Sequence, residues 1–289
     1  MFRKSISKCA ALTACLALTA TAHAESGWSL LNLPRGVTEI SRKIYDLHML
    51  IFWVCVAIGI VVFGVMIYSI VVFQHRKGAV PDTTMVHNTK VEIVWTIVPV
   101  LILVGMAIPS ARTLVEIEDL RNTELTIKVT GYQWGWNYDY LDKGVSFFSR
   151  LDRQSDAARE LASGIDPTTV PHYLLNVDNP LVVPVGTKVR LLITANDVIH
   201  SWWVEPFGVK KDAIPGFVNE AWFRIDSDKA GLYRGQCAEL CGRDHGFMPI
   251  VVDARSKEDF AAWLKAKAAE QKAAQAPATA QASPPATSG

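Results

Sequence analysis

An excess of charge of either sign is what this chain most plainly lacks. Across 289 residues the basic and acidic side chains nearly cancel to a net +1. No global field exists to draw in nucleic acid or acidic substrates, so partners must be read locally. Cysteine is scarce as well, with five in all. Cys9 and Cys15 fall in an apolar N-terminal segment, which leaves Cys55, Cys237 and Cys241, too few for the disulfide framework of a small secreted domain. Charged residues are missing altogether from residues 47–73 and 93–111. Bulky apolar residues are missing from 273–289, a stretch of Ala, Pro, Thr, Ser and Gln that cannot offset its own ordering entropy and predicts a disordered tail.

The two charge-free stretches are long enough to cross a hydrocarbon core, which needs ~20 helical residues. They predict a transmembrane hairpin within residues 25–114, with helices over about 47–73 and 91–114. Pro99 and Pro109 lie inside the second span, where membrane helices tolerate proline if neighbouring protein satisfies the freed carbonyls. The connecting loop carries His75, Arg76, Lys77 and Lys90 against Asp82, whereas Glu116, Glu118 and Asp119 follow the second span. The positive-inside rule therefore predicts a cytoplasmic loop with both chain ends outside. Residues 1–24 agree, running from Arg3, Lys4 and Lys8 through an apolar segment to Ala22-His23-Ala24, the pattern of a cleaved secretory signal. Leu12-Thr13-Ala14-Cys15 keeps open the alternative of a lipoprotein box with Cys15 lipidated. The expected location is a bacterial inner membrane, in contact with lipid, with the N-terminus and the C-terminal domain in the periplasm.

Residues 115–272 carry no long amphipathic helix until near their end. Short apolar or alternating runs at 125–130, 181–185, 188–194, 221–226 and 248–252 are separated by Gly, Pro, Asn and Asp, which predicts an antiparallel all-β sandwich or barrel. The polar stretch 141–172 breaks this rhythm and is expected to be a surface excursion with a short helix near 155–163. Ser256-Lys257-Glu258-Asp259 followed by Phe260, Trp263 and Leu264 predicts a capped amphipathic helix docked on the sandwich.

Chemistry concentrates in residues 235–250, GQCAELCGRDHGFMPI. Cys237, Cys241, His245 and Met248 offer two thiols, an imidazole and a thioether. Structural zinc sites use cysteine and histidine without methionine, so Met248 favours copper. From Cys241 onward the spacing C-x3-H-x2-M is that of a mononuclear blue-copper loop, with Cys237 as one thiolate too many. That surplus thiolate either bridges to a second copper, for which His200 in DVIHSWW supplies an imidazole, or pairs with Cys241 as a disulfide in an oxidising compartment.

The motifs DVIHSWW, KDAIPG, GLYRGQCAELCGRDHGFMPIVV, GYQWGWNYDY and VEIVWTIVP together resemble subunit II of cytochrome c oxidase, across roughly residues 37–253. The resemblance implies a two-helix transmembrane hairpin followed by an all-β cupredoxin-like periplasmic domain. It implies the dinuclear CuA centre, in which two copper ions share the Cys237 and Cys241 thiolates. His200 and His245 add imidazoles, and Met248 and the main-chain carbonyl of Glu239 are the weak ligands. The Glu239 side chain would help bind a magnesium ion shared with subunit I, although by itself it reads as a solvated loop acid. Further partners implied are haem-bearing subunit I, subunit III and cytochrome c, in an enzyme that reduces oxygen to water and translocates protons. The related quinol oxidase subunits lack the copper ligands that are intact here. A copper-delivery protein is another class of reading, but it leaves the spans and the aromatic run without a purpose.

In GYQWGWNYDY, Tyr132, Trp134, Trp136, Tyr138 and Tyr140 share one face at a period of two, which on its own reads as core packing. The resemblance instead implies that Trp134 is the exposed indole through which electrons arrive from cytochrome c. Tyr132 and Gly135 depart from the His and Tyr common in mitochondrial relatives. Cytochrome c has a lysine-rich face, so acids around Trp134 would steer it, with Asp139, Asp142, Asp197 and Glu220 as candidates. Glu92, at the start of the second span, reads by itself as a snorkelling acid. By resemblance it lies at the mouth of a proton pathway into subunit I.

Overall fold

The computed structural model describes residues 31–74, 78, 80, 83, 84 and 86–275. The expected signal peptide and the loop residues His75, Arg76, Lys77 and Asp82 lie outside the described residues, as does the tail from residue 276. The chain forms two units, one built mainly from residues 42–112 and the other from 113 onward together with 37–41.

The first unit consists of the apolar lengths of α1 (Glu39–Val72) and α2 (Thr89–Ile117). Each helix begins before the uncharged stretch that predicts it, because its N-terminus carries its own capping groups. Thr38 caps α1: its Oγ1 accepts from the Ser41 amide at 3.0 Å, while Ser41 Oγ accepts from the Thr38 amide at 3.1 Å. Asn88 Oδ1 accepts from the Lys90 and Val91 amides at 3.1 and 3.3 Å and starts α2. These reciprocal and side-chain caps satisfy amides that the first helical turn leaves free. Ile60, Val65, Ile67, Leu101 and Leu103 are more than half exposed along the helices, a surface suited to lipid rather than water. Pro99 and Pro109 both lie within α2.

The second unit holds ten strands in two five-stranded sheets. They are β1 (Leu125–Tyr132), β2 (Gly135–Tyr140), β3 (Val145–Ser149), β4 (Leu181–Pro184), β5 (Val189–Ala195), β6 (His200–Val204), β7 (Val209–Ala213), β8 (Asn219–Phe223), β9 (Gly231–Cys237) and β10 (Pro249–Arg255). One sheet has the order β3-β2-β1-β5-β8 and the other β4-β10-β9-β6-β7. Alternate residues of facing strands fill the space between them: Ile127, Val129, Leu191 and Ile193 from the first sheet, Trp202, Val204, Ile250 and Val252 from the second, all fully buried. This is the cupredoxin-like sandwich that the sequence predicts.

Three particulars differ from the expectation. The sheets are mixed, since β1 pairs parallel with β5 and β10 with β4. The chain leaves the first sheet after β3, adds β4 to the second, and returns as β5 beside β1 in the same direction. The stretch 141–172 is not all excursion, because Val145-Ser146-Phe147-Phe148-Ser149 forms β3 along β2, with Phe147 stacked at 6.1 Å on Tyr140. The short helix that follows, α3 (Arg153–Ala158), begins earlier than expected because Asp152 caps it, accepting from the Gln154 and Ser155 amides. Finally, GYQWGWNYDY is a hairpin rather than one strand: β1 ends at Tyr132, Gln133 and Trp134 turn, and β2 begins at Gly135. Only Trp136, Tyr138 and Tyr140 of the aromatic run are fully buried.

Helix α4 (Lys257–Gln275) extends past residue 273. Ser256 Oγ accepts from the Asp259 amide at 3.0 Å, and Trp263 packs 5.4 Å from the Tyr140 ring. The Tyr140 hydroxyl donates to the Val182 carbonyl at 2.7 Å and accepts from the Val182 amide at 3.0 Å. One side chain thus joins β2 of the first sheet to β4 of the second.

Candidate metal centre

Neighbouring strands bring the ligand types together. His200 opens β6 and Cys237 closes β9, strands that pair with Trp202 opposite Cys237. The β9–β10 connection then carries Glu239, Cys241, His245 and Met248 before Pro249 starts β10. Ligand atoms of His200, Cys237 and Cys241 all lie within 4.8 Å of one another. The sulfurs of Cys237 and Cys241 are 3.9 Å apart, and no disulfide joins them. Cys241 Sγ is 3.5 Å from His245 Nδ1 and 3.4 Å from Met248 Sδ, and Cys237 Sγ is 3.3 Å from the main-chain oxygen of Glu239. His200, Cys237, Cys241 and Met248 are buried, and His245 is half-buried.

The His200 ring is held so that one nitrogen is free. Its Nε2 is 2.9 Å from Asp197 Oδ1, while Nδ1 is buried without a hydrogen-bond partner. An orphaned buried nitrogen is costly unless something else engages it. A metal does so, and the Asp197 contact on the opposite nitrogen is the usual way to fix a ligand tautomer. Gly131 lets the ring pack close to β1, since a Cβ there would come within 2.8 Å of His200 Cδ2.

The protonation preferences follow from burial and from the closeness of the two thiols. Burial lowers the pKa of His200, but Cys237 and Asp197 outweigh it and lift the value above the ordinary one. For Cys237, burial raises the pKa, yet contacts with His200 and the main chain of Ser201 and Glu239 bring it below the usual thiol value. Burial and the neighbouring Cys237 push Cys241 up. Of the two thiols Cys237 is thus the more acidic, and a bound cation would favour the thiolate form of both.

Trp134 is attached directly to this loop. Its Nε1 donates to the Cys241 carbonyl at 3.3 Å, and Gln133 Nε2 donates to the same oxygen at 2.8 Å. The indole is partly buried rather than fully exposed, and it packs against the core. Gln133, Gly131 and Gly242 escaped the sequence reading. For Gly242 a visible signal existed, a glycine directly after a ligand cysteine, and here it has a φ of +118° with Trp134 against it.

The candidate steering acids are not gathered at the indole. Asp197 is beside it, but its carboxylate engages His200 and the Gln133 and Val198 amides. The D-x-x-H spacing was the signal for that supporting role. Asp139 lies on β2 opposite Lys128. Asp142 lies beyond the other end of β2, roughly 20 Å from Trp134 at ~3.3 Å per residue. Glu220 on β8 is bound by Arg190 at 2.7 and 3.0 Å. Sequence proximity alone suggests these acids, and the strands spread them along the sheet. Glu239 is exposed, and Glu92 lies in the first turn of α2.

Comparison with known proteins decides the family. The family described as cytochrome C oxidase subunit II, transmembrane domain, matches residues 26–113, and that described as cytochrome C oxidase subunit II, periplasmic domain, matches residues 125–255. The chain belongs to the cytochrome c oxidase subunit II family. A probable cytochrome c oxidase subunit 2 of Rickettsia bellii is 42% identical over 80% of this chain and 81% of its own. Cytochrome c oxidase subunit 2 of Cereibacter sphaeroides is 35% identical over 86% of this chain and 87% of its own. The solved periplasmic domain of subunit II of cytochrome oxidase from Bradyrhizobium japonicum is 40% identical, covering 52% of this chain and 98% of that one at a TM-score of 0.44. As a subunit II, the chain is part of a cytochrome c oxidase complex with other oxidase subunits, and its two apolar helices make it an inner-membrane protein.

Proposed function

We propose that this subunit II receives electrons from cytochrome c at a dinuclear copper centre held by the Cys237–Met248 loop and His200, and passes them to haem in subunit I. The observation that carries the reading is the His200 Nδ1 atom, buried without a hydrogen-bond partner, in a ring whose ligand nitrogen lies within 4.8 Å of two thiols. The donor set suits copper: two soft thiols, two borderline imidazoles, a thioether and a main-chain carbonyl. When bound, the copper pair supplies a one-electron relay that needs no open coordination position.

The protein's own residues do the rest. Cys237 and Cys241 would give up their protons and hold the coppers as thiolates. His200, oriented by Asp197, and His245 provide one imidazole each. Met248, whose carbonyl accepts from Trp136 Nε1 at 3.4 Å, and the Glu239 carbonyl would complete the set as weak ligands. Trp134, hydrogen-bonded to the Cys241 carbonyl, is the group through which the carrier's electron arrives.

The exposed Glu239 carboxylate is free to bind a magnesium ion shared with subunit I, as hard oxygen donors do. Glu92 guards the mouth of a proton pathway, with the α1–α2 loop cytoplasmic and the β domain periplasmic. Subunits I and III are the partners within the membrane, and oxygen is reduced to water in subunit I with protons translocated.

Stopped-flow reduction of the assembled oxidase by reduced cytochrome c tests this order. The copper absorption should bleach before the haem of subunit I is reduced. Haem reduction ahead of the copper band overturns the reading.

A further inference from the structure

Between β3 and β4 the chain leaves the sandwich as a closed excursion. Leu151 and Val177 pair as an antiparallel bridge at its base, and the buried Ser155 Oγ accepts from the Leu174 amide at 3.1 Å, joining its two halves. Asn176 Oδ1 accepts from Arg234 Nη2 at 3.0 Å, which ties the excursion to β9, the strand that ends at Cys237. From this fixed base Arg159, directly after α3, extends to the metal loop. Its guanidinium carbon lies 4.6 Å from the centroid of the Phe247 ring, and its Nη1 reaches Asp244 Oδ1 at 3.5 Å. Asp156 accepts from Arg159 Nε at 2.7 Å and holds the guanidinium from the α3 side.

The two residues that Arg159 touches stand immediately before the two ligands that follow Cys241: Asp244 before His245, and Phe247 before Met248. The backbone there is two tight turns, in which the His245 amide donates to the Gly242 carbonyl at 3.3 Å and the Phe247 amide to the Asp244 carbonyl at 2.9 Å. A grip on Asp244 and Phe247 therefore fixes the backbone from which both ligand side chains extend. Arg243 also pairs with the Asp244 carboxylate at 3.2 Å, but it belongs to the loop and is 81% exposed, so it moves with the loop and cannot anchor it. Exposed ion pairs hold little. The Arg159 and Asp244 side chains are only 23% and 12% exposed, which lessens screening, and the contact with Phe247 calls for a planar cation. A loop fixed before its metal arrives gives up less freedom on binding, which strengthens binding.

We propose that Arg159 is a positioning residue for the metal centre: it fastens the excursion between β3 and β4 onto Asp244 and Phe247, and so holds His245 and Met248 in place for copper. The inference rests on the reading that this loop holds copper.

The test uses the purified full chain, native and with Arg159→Gln or Arg159→Lys, in two states. In the metal-free chain, hydrogen exchange is followed by mass spectrometry of peptides covering 242–247 and, as a reference, β1 and β5. In the copper-loaded chain, release of copper to an excess of chelator is timed and the electron paramagnetic resonance spectrum recorded. Arg159→Gln should speed exchange across 242–247 by about tenfold while β1 and β5 keep their native rates. It should also speed copper release by about tenfold or more and alter the copper hyperfine splitting, as expected when a partner behind the ligands is lost. Arg159→Lys, which keeps a cation within reach of Asp244, should recover part of each change. Native exchange, native release and a native spectrum in Arg159→Gln overturn the proposal. Faster exchange in β1 and β5 to the same degree as in 242–247 overturns it as well, because Arg159 would then support the whole domain rather than the loop. The two failures are distinguishable. If the native chain takes up no copper, the reading on which the inference rests has failed and takes it along. If the native chain binds copper and Arg159→Gln changes nothing, only the role of Arg159 is wrong.

Discussion

The Trp134 indole donates its Nε1 proton to the main-chain carbonyl of Cys241 across 3.3 Å. A ring at the domain surface is thereby one hydrogen bond from the backbone of a metal-ligating residue. Gln133 donates to the same oxygen at 2.8 Å, so the turn keeps a grip on the loop when the indole is replaced. Trp134→Gln should therefore slow electron uptake from the carrier by about tenfold or more, equivalent to ~1.4 kcal/mol or more in barrier. The copper spectrum should stay the same. Stopped-flow reduction of the oxidase checks this, and an unaltered rate removes the indole from the path.

Asp197 bridges two parts of the centre, accepting from the Gln133 amide at 2.7 Å and lying 2.9 Å from His200 Nε2. Asp197→Ala frees the His200 ring to turn and releases the Trp134 turn. Loss of such an outer partner costs about 10–100-fold in metal affinity. Competition with a copper chelator measures it, and affinity equal to the native protein's contradicts a supporting role for Asp197.

These two residues show what sequence can and cannot carry. Cys237, Cys241, His245 and Met248 were legible because their side-chain chemistry is rare and their spacing local. His200 was legible as the imidazole the set still needed. The supporting contacts were not, because they join segments far apart in sequence: Arg159 and Asp244 meet across 85 positions, and Gln133 and Cys241 across 108. The sandwich was legible in turn-bounded apolar runs, but its parallel β1·β5 and β4·β10 pairs depend on the path of the chain between sheets. Asp142 and Glu220 illustrate the same limit, since strand direction carries Asp142 past the far end of β2 and strand pairing sets Glu220 on the strand beside Arg190.

Tyr140 offers a test of the sandwich itself. Its hydroxyl satisfies both the amide and the carbonyl of Val182 on the facing sheet, in surroundings that exclude water. Tyr140→Phe leaves both groups unpaired, which should destabilise the β domain by about 1–3 kcal/mol. Denaturant unfolding of the purified chain, followed by near-ultraviolet circular dichroism, reads this loss. An unchanged midpoint would mean that the bond contributes nothing to stability.

Glu92 lies in the first turn of α2, where it is half-buried. Glu92→Gln should impair proton uptake by the assembled oxidase while leaving the copper spectrum and the rate of electron arrival as they were. Turnover equal to that of the native enzyme across pH would return Glu92 to the role of an acid at a helix end.

The central claim is that Cys237, Cys241, His200, His245 and Met248 hold a pair of coppers rather than one. Electron paramagnetic resonance of the copper-loaded full chain, with metal content measured on the same sample, tests it most directly. The account predicts two coppers per chain and a spectrum in which one unpaired electron is shared equally between both nuclei. One copper per chain with the hyperfine pattern of a single nucleus, or zinc alone, would contradict it.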